Sequence, residues 1–241
     1  MDDNQELNKI LKRIEELKKD EVHIYRNRKS DILFITGCTS SKSKDDGTIP
    51  AYCRYTGAAS KQILSFFKDN SAPLKKNRFF DLYIMSAGYG FIPADSEISY
   101  YDVTFARTKE QPWMNSDARK KMAEKLQLSQ NFEEILKQGY KLIILRLGKD
   151  YIQALNSMAP PGGYNVPEGT KVCYFKPKST QEILLQGAVL PIKVCASNLR
   201  KYGNNISYQD VFWSEFFKKH QLESVESIGK SIIDKIEDLI K

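Results

Sequence analysis

The stretch "DILFITGCTSSKS", residues 31–43, decides the fold. Its first half is apolar at nearly every position, too short for a helix, and runs into a glycine, a cysteine, hydroxyl side chains and a lysine. A continuous apolar run that ends in a small-residue turn reads as a strand buried on both faces, the kind found in a parallel sheet covered by helices. The same pattern returns in "FDLYIM" (80–85) before Ser86, Ala87 and Gly88, and in "KLIILRL" (141–147) before Gly148, with "KVCYF" (171–175) as a fourth strand. The segments between them carry helical stripes: Ile63, Leu64 and Phe67 within 57–67, and Met122, Leu126, Phe132 and Ile135 within 116–136. Strand and helix in alternation predict an α/β fold, a mostly parallel Rossmann-like sheet flanked by helices. Ligands of such sheets sit at the carboxyl ends of the strands, so the three small-residue turns should face one crevice.

Amphipathic helices are expected at both termini, from Leu7, Ile10, Leu11, Ile14 and Leu17 at one end and Ile228, Ile232, Ile233, Ile236 and Ile240 at the other. The chain divides into an N-terminal helical extension (1–30), an α/β core (31–200) and a C-terminal helical segment (201–241). The terminal helices are open to packing on the core, on each other or on a second copy. A helix-hairpin-helix module in "LESVESIGKSIIDKIEDLI" would need paired glycines in its turn, which are absent. "APPGGYNVPEG" (159–169) reads as a connection or a lid.

The 241 residues hold 37 Lys and Arg against 30 Asp and Glu, a formal charge of +7 that favours an anionic partner such as nucleic acid, as does a surface merely sprinkled with lysine. No apolar run is long enough to cross a bilayer, and the charged start does not read as a secretion signal, so a cytoplasmic protein without a membrane partner is expected. Cys38, Cys53, Cys173 and Cys195 are scattered, without CxxC pairs or nearby histidines; no metal, disulfide framework or resident cofactor is called for. His23 and His220 lie far from the turns, which leaves little material for histidine-based catalysis.

The turn after the first strand suits an anion. Gly37 frees backbone N–H groups, and Thr39, Ser40, Ser41 and Ser43 add donors. Gly37 to Lys42-Ser43 approaches a P-loop but lacks its second glycine, and Asp81 stands at the wrong end of its strand to reach a magnesium ion. Cys38 is the more specific feature. Just past a strand end, before expected helix N–H donors and near Lys42, it is placed to ionise and attack an electrophilic carbon, although a free cysteine is usually a small buried hydrophobe. The second cluster is "DLYIMSAGYGFIPADSEISYYDVTF" (81–105), where Tyr89 sits between two glycines and Asp95, Tyr100, Tyr101 and Asp102 follow. Aromatic faces beside carboxylates suit a flat base and its edge, and equally a polar loop closing over the core.

The order of these blocks, GCTSSKS, Tyr52 or Tyr55 before a helix, LYIMSAGYGFIPADSEISYYDVTF and LGKDYIQAL, resembles the YaaA-like superfamily across roughly residues 31–157. This group includes peroxide-stress YaaA proteins, small relatives with a "CSKSK...LSAKYGLL...YD" pattern, and domains of deazaguanine DNA modification and archaeosine synthesis. The matching positions are Cys38, Ser41 and Lys42, then Ser86, Gly88, Tyr89 and Gly90, then Asp95, Tyr101 and Asp102, then Gly148 and Tyr151. Ala87 departs from the lysine of many relatives. The resemblance implies a partner in nucleic acid, DNA or tRNA, or in a nucleoside or nucleotide.

The expectation is therefore an enzyme that modifies a nucleobase, with Cys38 as nucleophile, Lys42 stabilising negative charge, and Asp95 or Asp102 reading the base edge or moving a proton. Tyr89 or Tyr101 would stack the base, while Gly37, Thr39, Ser40, Ser41, Ser86, Gly88, Gly90, Gly148 and Tyr151 line its site. The alternative is a non-catalytic DNA-binding protein of peroxide-stress defence. A fold that merely binds a small nucleotide is the third.

Overall fold

A computed structural model describes residues 3–18, 30–71, 80–177, 181–194, 208–220 and 227–228. The described part is α/β, built on a six-stranded sheet. Its strands are β1 (Ile32–Gly37), β3 (Asp81–Ser86), β4 (Gly90–Pro93), β6 (Leu142–Arg146), β8 (Lys171–Pro177) and β10 (Val189–Val194), in the order β10-β8-β6-β1-β3-β4. All neighbours pair in parallel except β3 and β4, which form a tight antiparallel hairpin. Every residue of β1 and β3 is buried, as are Leu142 to Leu145 of β6, which is why these segments read as unbroken apolar runs.

Taking the five parallel strands in chain order, the sheet runs second, first, third, fourth, fifth. The chain leaves β1 to one side for β3 and returns to the other side for β6. Its winding thus reverses at β1, and connections leaving β1 and β6 in opposite senses open a crevice above their carboxyl ends. In-register pairing sets Thr36 beside Arg146 and Gly37 beside Met85, so the three expected turns do meet.

Helices α1 (Asp3–Leu17), α2 (Ala51–Arg54), α3 (Lys61–Ser71), α4 (Ser116–Lys125), α5 (Leu128–Leu136), α6 (Lys149–Asn156) and α7 (Tyr208–His220) surround the sheet. Leu7, Ile14 and Leu17 of α1 join the main core. In α7, Phe212, Trp213, Phe216 and Phe217 recur at helical spacing and enter an aromatic cluster, Phe217 lying 4.8 Å from Phe80 and Trp213 standing edge-on to Phe34 at 6.0 Å.

The stripe over 116–136 is two helices, not one. Gln127 adopts φ 53°, the left-handed region, and breaks the segment, while Asn131 Nδ2 donates to the Leu126 carbonyl at 3.0 Å. The break re-aims α5 so that Phe132 stacks on Phe91 of β4 at 5.5 Å. The 159–169 segment forms β7 (Tyr164–Asn165), paired with β9 (Leu185–Gln186). The remaining short strands, β2 (Ile49–Pro50) and β5 (Glu97–Ile98), pair with each other. The stripe beyond Ile228 and the turn weighed as a helix-hairpin-helix lie outside the described residues, and no helix among those described is long and apolar enough to cross a membrane.

Candidate functional site

A cleft of about 470 Å³ opens at the carboxyl ends of β1 and β6. Gly37 to Ser41 form one wall, Gly57 to Ala59 a second, and Arg146, Gly148 and Tyr151 a third, with Thr104 and Gln209 at its margins. Cys38 lies in it, 6% exposed, its N–H bonded to the Met85 carbonyl at 2.9 Å. Its Sγ is 2.9 Å from the Tyr151 hydroxyl, and the Ala87 N–H points at the sulfur from 3.5 Å.

Hydrogen-bond counting orients this pair. The Tyr151 hydroxyl donates its one proton to the Cys38 carbonyl at 2.7 Å and lies 3.2 Å from Thr104 Oγ1. With that proton spent, its lone pairs accept from the Cys38 thiol and the Thr104 hydroxyl. The close seat of Tyr151 needs Gly37, where a Cβ would stand 3.1 Å from the ring. Burial first, then the charge of Cys38, push the phenols of Tyr55, Tyr101 and Tyr151 well above the ordinary tyrosine value, so all three stay protonated. Cys173 is the contrast: in the middle of β8, burial alone pushes its thiol up to about 12, the state of an inert core thiol.

Other expected positions lie elsewhere. Residues 38–48 form no helix, so the donor at the sulfur is the Ala87 N–H and not a helix terminus. The Thr39 hydroxyl accepts from the Gly57 N–H at 3.2 Å and donates to the Ser41 carbonyl at 2.8 Å, holding the loop, while the Ser43 hydroxyl bonds Asp45. Ser40 and Ser41 stay exposed in the cleft. Lys42 turns the other way, donating to the Val103 carbonyl at 3.1 Å and lying 4.5 Å over the Tyr101 ring. Burial lowers its ammonium from the usual lysine value, against the opposing charges of Cys38 and Asp102. Lys42 and exposed Asp102 line a second cleft of about 410 Å³ that shares Ser40, Ser41 and Thr104 with the first.

The block after β3 supports the site from behind. Ser86 Oγ accepts the N–H groups of Gly88 and Tyr89, each at 3.1 Å. Gly88 is required because a Cβ there would come within 2.8 Å of the Tyr101 ring; Gly90 has φ +79° and opens β4. Stacking of a base on Tyr89 or Tyr101 is corrected by the packing. Tyr101 is 1% exposed, with Lys42 over one face and Tyr55 and Tyr89 edge-on to it, and the Tyr89 hydroxyl accepts from the Ser99 N–H at 2.9 Å. Asp95 sits in the β4–β5 turn beside Tyr52 and does not line the cleft.

Arg146 is a cleft-lining side chain missed from the sequence, although an arginine inside the apolar run LIILR was its signal. It is half-buried, lines the cleft, and lies close enough for its charge to act on Asp210. Asp210 of α7 caps α3 by accepting from Gln62 N–H at 2.7 Å and Ile63 N–H at 3.1 Å, so that helix start is already neutralised. Among the described residues no three His, Cys, Asp or Glu side chains gather as metal ligands would. Comparison of the chain with known proteins finds no matching family, no curated protein and no solved structure.

Proposed function

We propose that this protein is an enzyme that modifies a nucleobase of the deazaguanine type or a relative of it, within nucleic acid or as a nucleoside, with Cys38 as nucleophile. The observation that carries this assignment is the Cys38 thiol in a cleft at the switch point of the sheet, bonded to the Tyr151 hydroxyl at 2.9 Å. A cleft of this volume accommodates a base with its sugar. Arg146 supplies the cation for a neighbouring phosphate.

The chemistry that fits is addition. Sγ bonds to an electron-poor carbon of a carbon–nitrogen multiple bond, the π pair moves to nitrogen, and that nitrogen takes the proton the thiol gives up. Tyr151 stays a phenol throughout, its own proton held on the Cys38 carbonyl and its lone pair facing the thiol. Nucleoside mass spectrometry of DNA and tRNA from cells with the gene, without it, and with a Cys38→Ser copy tests the assignment. A nucleoside that changes only with intact Cys38 is the expected result; identical profiles in all three overturn it.

The net charge of +7 supports one other assignment, a DNA-binding protein of peroxide-stress defence without chemistry. It requires an affinity that falls steeply with salt and is unmoved by Cys38→Ser.

A further inference from the structure

The second cleft adjoins the first along Ser40, Ser41 and Thr104, and the addition step makes no use of it. Its walls come from three separate parts of the chain: Glu6 and Ile10 of α1, Lys42 of the loop after β1, and the 102–113 segment. Trp113 is 8% exposed, and among the described residues nothing accepts its indole N–H. That N–H is a donor left for a bound molecule. The carboxylates around it are of two kinds. Glu6 pairs with Lys9 at 2.8 Å and Glu110 with the Thr108 hydroxyl, whereas the Asp102 carboxylate makes no hydrogen bond among the described residues. The Gln111 amide is held by the Asp102 carbonyl at 3.2 Å and the Thr104 N–H at 3.4 Å. The cleft thus offers one donor and one acceptor beside an aromatic wall, and its three carboxylates disfavour a phosphate. That set suits the edge of a neutral base.

The ridge between the two clefts has the opposite character. The Thr104 hydroxyl is spent on the Ala106 N–H at 3.2 Å and on Tyr151, but the hydroxyls of Ser40 and Ser41 are exposed and make no hydrogen bond among the described residues. Lys42 follows them directly, so the ridge presents donors and a positive charge to an anion.

We propose that the substrate is a single strand of at least two nucleotides, with the reacting base over Cys38, the linking phosphate on Ser40 and Ser41, and the neighbouring base in the second cleft, its edge read by Trp113 and Asp102. The inference rests on the nucleobase reading of the first cleft and names its substrate class, a strand and not a free nucleoside. Asp102 accepts from an exocyclic amino group, so a neighbouring adenine is preferred to uracil or thymine, whose edges lack one.

The test is calorimetric titration of the full chain at fixed salt. The probes are guanosine monophosphate and the dinucleoside monophosphates that join guanine to adenine, or to uracil or thymine, in both polarities and with both sugars. A phosphodiester carries less negative charge than the terminal phosphate of guanosine monophosphate, so tighter binding of a dinucleotide cannot come from the +7 charge of the chain. In one polarity the adenine dinucleotide should bind about tenfold tighter than guanosine monophosphate, and about fivefold tighter than its uracil or thymine counterpart. Trp113→Phe and Asp102→Ala should each weaken the adenine dinucleotide about fivefold and leave guanosine monophosphate as it was, and Asp102→Ala should erase the preference for adenine. Equal binding of mononucleotide and dinucleotide overturns the inference, as does a gain that survives both variants, or binding of neither ligand. A merely structural role for Trp113 would weaken both ligands alike and leave their ratio unmoved. Should Trp113→Phe fail to fold, Asp102→Ala, at an exposed position, decides alone. A nucleoside change that needs Cys38, found beside equal binding of mononucleotide and dinucleotide, would leave the nucleobase assignment standing and this one fallen.

Discussion

The loop after β1 and the turn after β3 share their ingredients, glycine beside serine beside a reactive or aromatic side chain, and they meet at adjacent strand ends. One opens to a cleft and the other closes on itself. After β1 the chain wanders through residues 38–48 without regular structure apart from the Lys42–Tyr55 bridge, leaving Cys38, Ser40 and Ser41 against solvent space. After β3 it reverses at once into β4, and the hairpin spends its polar groups internally: Ser86 on two N–H groups, Tyr89 on Ser99, Tyr101 on Ser86 and Tyr55. Composition alone therefore does not distinguish a ligand-facing loop from a brace. What distinguishes them is whether the next element returns immediately to the sheet.

Substitutions can break that contrast, and the largest effect should come from the open loop. Cys38→Ser should lower turnover by at least about 10³-fold, read as loss of the modified nucleoside and of any covalent adduct in intact-protein mass spectra, with little change in melting. On the braced side the effect moves from activity to stability. Ser86→Ala strands the buried N–H groups of Gly88 and Tyr89, and chemical denaturation should show a loss of about 2–4 kcal/mol.

Glycine pairs sharpen the comparison. Gly88→Ala drives a Cβ to 2.8 Å from the Tyr101 ring and should cost about 1–3 kcal/mol, whereas Gly148→Ala, at φ −74° with nothing within 4 Å of its Cβ, should stay within about 0.5 kcal/mol in the same assay. An effect confined to acid pH concerns the wall behind Gln209. Burial raises the Asp210 carboxyl above the ordinary aspartate value despite the N–H groups of Gln62 and Ile63 and the charge of Arg146. A raised carboxyl binds its proton more tightly in the folded chain. Its contribution to stability is thus complete below the unfolded value of about 3.9 and is lost as pH rises through the folded value. Asp210→Asn should flatten the stability–pH curve just above that point, measured by urea denaturation across the acid range.

The four apolar strands were legible because burial on both faces leaves a pattern that needs no partner to be seen. Gly37, Cys38 and Gly148 were legible as well, since each stands at or just past a strand end, whereas Tyr151 was named only through the resemblance; all four line the cleft. Asp95, Tyr89 and Tyr101 were placed in the cleft by proximity along the chain, and the hairpin sends them behind it. Arg146 was passed over because its strand was read only for its apolar content. The split at Gln127 escaped because apolar spacing over 116–136 continues through a backbone break that only packing against β4 explains.

The sequence by itself determined which segments are strands and which residues end them, because local periodicity records burial and turn chemistry. The tertiary structure alone decided that β6 lies beside β1, and hence that Tyr151 meets Cys38 across 113 residues of chain. Strand order is settled by how whole layers pack, and no local window contains that information.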